Sequence, residues 1–191
     1  MRIHCILLYL IPALALSQAN FHQQLADSAE TLSLDRVIYD PSYFSMAYPN
    51  GDVPAGKGVC TDVVVRAYRK MGIDLQKEVH EDMKGNFQQY PDIWGLTNTD
   101  KNIDHRRVPN LMKFFERHGT TLSTSTNPQE YKPGDIVCWN LGGAITHIGI
   151  VTDERSNDGT RFKVVHNIGS GQVIEDMLFD FRIIGHYRYQ K

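Results

Sequence analysis

Apolar residues recur at helical spacing in the first two thirds of the chain, and the pattern changes near residue 133. Helical spacing is found in four segments: residues 20–34, 59–71, 75–83 and 108–118. In the second segment Val59, Val63 and Ala67 share one face, and Gly72 follows where a helix would end. The pattern therefore predicts four helices, separated by polar stretches that contain proline and glycine.

Alternating apolar and polar positions begin after the turn sequence Pro133-Gly134-Asp135. They predict four strands, over residues 136–141, 147–152, 162–168 and 183–189. The sequence Ser156-Asn157-Asp158-Gly159 is typical of a hairpin connection. Helices first and adjacent strands last predict an α+β domain, in which N-terminal helices pack on a C-terminal antiparallel sheet.

Composition narrows the class of protein without identifying an activity. The chain has 191 residues, with 20 Lys and Arg against 22 Asp and Glu. This length favours one domain with a sizeable core, and the balanced charge gives no reason to expect a nucleic-acid partner. No repeat or linker interrupts the chain, so we assign residues 20–191 to a single domain and expect a monomer.

The N-terminus has the features of a secretory signal peptide over residues 1–19. Arg2 precedes an apolar run from residue 3 to residue 16, and Ser17-Gln18-Ala19 supplies small residues at a cleavage site. We expect cleavage after Ala19, with Ala15 as the second choice, and hence a periplasmic or secreted protein. The apolar run is short for a membrane span, although an uncleaved anchor is the alternative.

Two residues have the positions expected of a thiol nucleophile and its base. Cys60 opens the second predicted helix, whose dipole would stabilise a thiolate, and His147 opens a predicted strand. His166, on the next strand, would orient the imidazole of His147. Asn167 is the alternative, because neighbouring strand residues point to opposite faces. Cys60 and Cys138, the pair left after signal cleavage, could instead form a disulfide.

These residues lie in stretches that resemble the NlpC-type cell-wall cysteine peptidases. The stretches are Cys60 at a helix start, Pro133-Gly134-Asp135-Ile136-Val137, His147-Ile148-Gly149-Ile150-Val151 and Val165-His166. Those peptidases have a papain-like core with a helix-borne cysteine, a histidine opening the next strand pair and a third polar residue on the following strand. The resemblance implies a papain-like cysteine hydrolase domain with Cys60, His147 and His166 as catalytic residues.

A longer set of motifs resembles a bacterial secreted family catalogued as domain of unknown function 1287 and grouped with that superfamily. The motifs are Gly51-Asp52-Val53-Pro54, Gly58-Val59-Cys60-Thr61-Asp62-Val63-Val64, Asp104-His105-Arg106-Arg107-Val108-Pro109-Asn110-Leu111, His166-Asn167-Ile168-Gly169 and Gly185-His186-Tyr187-Arg188-Tyr189. The match runs from about Tyr39 onward. In the NlpC pattern the cysteine usually lies in Asp-Cys-Ser-Gly, whereas in this chain it lies in Val59-Cys60-Thr61-Asp62. This departure bears on the substrate more than on the nucleophile.

The polar patch Asp104-His105-Arg106-Arg107 allows three interpretations. Arg106 or Arg107 could bind a substrate carboxylate through paired hydrogen bonds, and we assign both as substrate-binding residues. A metal site could instead use four side chains: His80, Asp82, Asp104 and His105. No usual zinc spacing supports that site. The third interpretation is an ion-paired start of the helix that follows.

The leading hypothesis is a cysteine amidase or peptidase that acts on peptidoglycan stem peptides without a metal or cofactor. The substrate and compartment follow from the resemblance and the signal peptide. Three alternatives remain open: a non-catalytic envelope-binding module of the same fold, a metal-dependent hydrolase, and a structural protein held by a Cys60–Cys138 disulfide. The expected partner is peptidoglycan or another peptide, and no membrane span is expected after signal cleavage.

Overall fold

The computed structural model describes residues 20–191, so the predicted signal peptide lies outside the described residues. Four helices occupy the first part: α1 (residues 20–30), α2 (Cys60–Lys70), α3 (Leu75–Asn86) and α4 (Val108–His118). The four predicted helices are therefore present, and the third continues to Asn86 instead of stopping at residue 83. None of the helices in residues 20–191 has the length and apolar character that crossing a membrane requires.

Eight strands accompany the helices within residues 20–191. They are β1 (Ile38–Tyr39), β2 (Lys57–Gly58), β3 (Thr120–Thr121), β4 (Ile136–Gly142), β5 (Ile145–Arg155), β6 (Phe162–His166), β7 (Val173–Glu175) and β8 (Arg182–Arg188). Strands β1 and β2 form a separate parallel pair. The other six form one antiparallel sheet in the spatial order β3-β8-β4-β5-β6-β7. The predicted α+β class is confirmed.

Apolar side chains cover both faces of this sheet. On β4, Ile136 and Cys138 belong to the core under the helices, whereas Val137 and Trp139 belong to a second core on the other face. This explains why β4 is a nearly continuous apolar run. Helix α2 is buried along most of its length and packs against β5. Its first residue is thereby fixed next to the centre of the sheet.

The register of the central strands determines which polar side chains meet. Trp139 on β4 pairs with His147 on β5, and His166 on β6 pairs with Val173 on β7. Gly149 lets β5 and β6 approach closely, because a Cβ at this position would lie 2.8 Å from the carbonyl oxygen of Val165. The start of β5, the end of β6 and the start of β7 therefore lie at the same end of the sheet, on which α2 packs.

Candidate active site

Cys60 is the first residue of α2, and its thiol lies against the sheet. The backbone N–H groups of Ile148, the residue after His147, and of Thr61 at the helix start favour the thiolate form of this sulfur. The side chain is 7% exposed, and it borders an open groove. Asp62 accepts a hydrogen bond from the N–H of Val59 at 2.8 Å, which satisfies one of the free donors at the helix start. A nucleophile at this position is held by the backbone of two elements.

A hydrogen-bonded chain of three side chains links β5, β6 and β7. His147 Nε2 lies 3.0 Å from His166 Nδ1, and His166 Nε2 lies 3.0 Å from Glu175 Oε2. The two imidazole rings meet edge to face with centroids 5.1 Å apart, and the indole of Trp139 packs beside His147 at 5.8 Å. The structure thus places the two predicted histidines together.

Asn167, the alternative third residue, has a different position. Its Nδ2 donates to the carbonyl oxygen of Gly58 at 3.2 Å, and its Oδ1 accepts from the N–H of Gly169 at 3.2 Å. It therefore ties the end of β6 to the loop that leads into Cys60. Of the two candidates, His166 is the one in contact with His147.

The sequence interpretation missed Glu175. This residue ends β7, a strand of only three residues, which is too short to show a clear alternation. Two glycines at 169 and 171, followed by Val173 and Ile174, are a signal of a turn and a returning strand that could have identified it. In the structure Glu175 pairs with Val164, and its side chain reaches diagonally to His166.

Burial keeps the cysteine and the histidine uncharged in the resting protein. It raises the pKa of the Cys60 thiol to about 12, although the nearby N–H groups of Ile148 and Thr61 act to lower it. Burial, followed by the charge of His166, lowers the pKa of His147 to about 3. The expectation that the helix dipole would favour a resting thiolate is therefore wrong, because the loss of solvent outweighs it.

Arg106 is an internal ion-pair partner. Its guanidinium contacts both carboxylate oxygens of Asp62, at 3.0 and 3.1 Å, and donates to the carbonyl oxygen of Ser42 at 2.9 Å. The side chain is 1% exposed. This geometry corrects the assignment of Arg106 as a substrate-binding residue, since its donors are already engaged. It braces the start of α2, whereas the third interpretation of the patch expected ion pairs at the start of α4, the helix that follows.

Arg107 differs from its neighbour. Its guanidinium carbon lies 4.2 Å from the ring centroid of Trp94, and among residues 20–191 it forms no ion pair or side-chain hydrogen bond. Arg107 and Trp94 both border the groove that Cys60 borders. This cation is therefore placed where a substrate could reach it.

The groove has a volume of about 490 Å³ and is bounded by loops as well as by α2. Tyr39 and Val59 line it near the cysteine, and Ala144 and Thr146 line it at the start of β5. His147 is 3% exposed and lies behind this surface. An elongated substrate in the groove would thus pass over the sulfur while the histidine chain stays shielded from water.

The described part of the chain contains neither the alternative metal site nor the alternative Cys60–Cys138 disulfide. His80 Nδ1 contacts Asp104 at 2.9 Å, but Asp82 is bound to Arg117 and Tyr90. Within residues 20–191 no three His, Cys, Asp or Glu side chains gather in a way that could hold a metal ion. Cys60 and Cys138 are both free thiols, so the structure contains no disulfide between them.

The chain is similar to known proteins in its sequence and in its structure. Residues 26–189 match the family model described as "Domain of unknown function (DUF1287)". The uncharacterized protein YijF of Escherichia coli (strain K12) is 51% identical over 178 residues, which is 93% of this chain and 86% of the relative. The solved structure of NlpC1 from Trichomonas vaginalis matches with a TM-score of 0.47 and 13% identity. That match covers 89% of this chain and 45% of the other.

Proposed function

This chain belongs to the family described as domain of unknown function (DUF1287), and we propose that it is a cysteine hydrolase that cleaves amide bonds. Cys60 is the proposed nucleophile and His147 the proposed base, with His166 and Glu175 orienting the imidazole. The observation that carries this proposal is the chain of two 3.0 Å contacts from His147 to Glu175, in the sheet that packs against the helix whose first residue is Cys60.

The carboxylate fixes the positions of the protons along this chain. Glu175 can only accept, so His166 donates through Nε2 and has a lone pair on Nδ1. His147 must then donate through Nε2 to His166, which leaves its own Nδ1 as the unprotonated nitrogen. That nitrogen is available to take the thiol proton of Cys60.

Attack on an amide carbonyl then moves one proton twice. As the sulfur bonds to the carbonyl carbon, its proton passes to Nδ1 of His147, and Glu175 stabilises the resulting imidazolium through His166. The imidazolium gives the proton to the leaving amine, and water later releases the acyl group from the sulfur. The backbone N–H of Cys60 would donate to the oxyanion.

The neutral resting state has a consequence for this mechanism. Because burial raises the pKa of Cys60 to about 12 and lowers that of His147 to about 3, no ion pair stands ready before substrate binds. Proton transfer is therefore coupled to attack, and the thiol should be selective for substrates that fill the groove.

We propose peptidoglycan stem peptides as the substrate and the periplasm or the cell exterior as the site of action. The support is the resemblance of the chain to cell-wall peptidases and the signal-peptide pattern of residues 1–19. The proposed active form is a monomer. The open groove of about 490 Å³ has room for a peptide segment.

Digestion of purified muropeptides, analysed by mass spectrometry, tests this function. The wild-type protein should release a peptide or amino-acid fragment, and Cys60→Ala should release none. Cys138→Ala is the matched control, because it removes a buried thiol that does not border the groove. Cleavage by Cys60→Ala at the wild-type rate, or no cleavage of any stem peptide by the wild type, would contradict the proposal.

A non-catalytic peptide-binding module is the second candidate. It is favoured by the small exposure of Cys60 and by its raised pKa, which are typical of an inert thiol. It predicts that Cys60→Ala binds muropeptides as tightly as the wild type and that neither protein alters them. Calorimetric titration of both proteins alongside the digestion separates the two candidates.

A further inference from the structure

The groove at Cys60 adjoins a second cavity. This cavity has a volume of about 470 Å³, and Trp94 and Arg107 line both spaces, so the two side chains form a common wall. Five of the nine other lining residues are apolar or aromatic: Met83, Phe87, Tyr90, Pro91 and Leu96. The other four are polar, and they include one carboxylate, that of the exposed Asp92. A ligand that extends past Arg107 from the groove would enter a largely apolar space.

Arg107 in this wall forms no ion pair or side-chain hydrogen bond with residues 20–191. Its Nη1 is shielded from solvent without a hydrogen bond, and burial lowers the pKa of the guanidinium, although the charges of nearby Asp104 and Asp100 act to raise it. A buried guanidinium N–H without a hydrogen-bonded partner is unfavourable, and a carboxylate ligand would supply one. Arg106, one residue earlier, has its anion in Asp62, so this feature belongs to Arg107 alone in the pair.

Trp94 restricts where the cation can act. The contact of 4.2 Å between the guanidinium carbon and the ring centroid holds Arg107 against the indole on one side. Guanidinium N–H groups match the two oxygens of a carboxylate better than any other side chain does. A carboxylate carried on an aliphatic chain therefore satisfies both the cation and the apolar lining.

We infer that the groove and the second cavity form one binding site, in which Arg107 on Trp94 binds a substrate carboxylate and the second cavity takes the aliphatic chain beside it. The inference rests on the proposed function, because it names the class of substrate. That class is a peptide with an acidic, aliphatic residue next to the amide that Cys60 attacks.

Nuclear magnetic resonance of the indole N–H groups tests the site without catalysis. The chain has two tryptophans, and Trp139 is buried with its indole N–H bonded to the carbonyl oxygen of Leu178, so it is an internal control. Three probes of equal length are compared: hexanoate, hexanamide and hexylammonium. Hexanoate should move the Trp94 signal in a saturable way, the other two should move it much less, and the Trp139 signal should stay in place.

Two variants sharpen the measurement. Arg107→Gln should abolish the response to hexanoate, and an unchanged Trp139 signal would show that the fold is intact. Arg155→Gln is the matched control, because Arg155 also lies over an aromatic ring, Phe162 at 3.7 Å, but outside both cavities. It should leave the response unchanged.

Three outcomes would overturn the inference. They are no response to hexanoate, an equal response to hexanamide or hexylammonium, and a full response in Arg107→Gln. The comparison of probes on the wild type decides the question even if Arg107→Gln does not fold.

Kinetics separate this inference from the proposed function. For a stem peptide with the carboxylate, Arg107→Gln should raise KM roughly tenfold or more with kcat retained, because a hydrogen bond to a charged group is lost. For the amidated peptide the KM should change little. If the wild type cleaves nothing while hexanoate still binds at Trp94, the proposed hydrolase function fails and the carboxylate site stands.

Discussion

Two buried networks in the sheet join histidine to carboxylate, and they are built differently. In the first, His147 contacts His166, which contacts Glu175. In the second, His186 Nε2 lies 2.8 Å from Asp135, and its Nδ1 lies 2.7 Å from the carbonyl oxygen of Ser123. Both ring nitrogens of His186 are therefore occupied, whereas Nδ1 of His147 makes no hydrogen bond with any described residue.

The two networks also differ at their acidic ends. Asp135 is fully buried and accepts hydrogen bonds from His186, from Arg188 at 2.5 Å and from the N–H of Lys132 at 2.8 Å. The ring of Tyr131 stacks on His186 with centroids 4.3 Å apart. The side chain of Glu175, by contrast, is 48% exposed. We call His186 with Asp135 the closed network, and it stabilises the fold. His147, His166 and Glu175 form the open network, which leaves a nitrogen of His147 that can take a proton.

The largest expected effect is on catalysis by the open network. His147→Ala and Cys60→Ala should each lower kcat/KM by roughly a thousandfold or more, because each removes an essential part of one proton-transfer unit. For the same reason the double variant should be little worse than either single variant. The measurement is the rate of muropeptide cleavage, with circular dichroism to check folding. Losses that multiply in the double variant would show that the two residues act independently.

A substitution in the closed network should lower the stability of the protein and leave catalysis unchanged. His186→Ala removes a buried hydrogen bond to a charged oxygen of Asp135, which keeps the N–H of Lys132, so we expect the free energy of unfolding to fall by roughly 1.5–3 kcal/mol. Urea unfolding measures it. The cleavage rate per folded molecule should stay at the wild-type value. A His186→Ala protein of normal stability and low kcat would reverse the distinction between the two networks.

The sequence predicts the helices and the longer strands, but not Glu175, the acidic end of the open network. Residues in α2 and α4 have clear helical periodicity, and β4 and β8 have enough residues for their strand pattern to show. Strands of two or three residues, such as β3 and β7, have no measurable period. Glu175 lies on β7, so its contact with His166 was missed, and the glycines at 169 and 171 are the signal of a returning strand there.

The two adjacent arginines show a second limit of prediction from the sequence. Arg106 and Arg107 are neighbours in a polar stretch, and nothing in the sequence distinguishes them. The short 3-10 helix Asp104–Arg106 ends between them and turns Arg106 inward to Asp62. Arg107 then precedes α4 and faces Trp94. Their different roles depend on a backbone turn that composition and spacing do not reveal.

A smaller effect is expected at the exposed end of the open network. Glu175→Gln keeps an acceptor for His166 but removes the charge that stabilises the imidazolium, so kcat should fall roughly tenfold, a modest figure because solvent screens this carboxylate. KM and the melting temperature should change little. Glu154→Gln is the control, since Glu154 is also an exposed glutamate, on β5, that contacts only Lys163. Equal rates for the two variants would exclude a role for Glu175.

The smallest expected effect is on the pH dependence of stability. The folded protein holds the pKa of Cys60 at about 12, above the value of about 8.5 expected in the unfolded chain. The folded state therefore binds more protons above pH 8.5, and this contribution to stability is lost as the pH rises toward 12. His147 behaves in the opposite way, because its pKa of about 3 lies below the unfolded value of about 6.5. Its contribution is present above pH 6.5 and is lost as the pH falls toward 3.

Cys60→Ser should accordingly flatten the loss of stability between about pH 8.5 and pH 10, by at most about 1.4 kcal/mol per pH unit. Cys138 has its pKa raised by burial as well, so Cys138→Ser should flatten the same region separately, and the double variant should be flatter than either. Urea titrations across this range measure the slopes. Alkylation by iodoacetamide is the second measurement, and Cys60 should react slowly at pH 7 because it is a neutral thiol. Rapid alkylation of Cys60 at pH 7, with the same loss of stability up to pH 10 in Cys60→Ser as in the wild type, would show that Cys60 and His147 rest as an ion pair. The open network would then differ from the closed one in charge as well as in its free nitrogen.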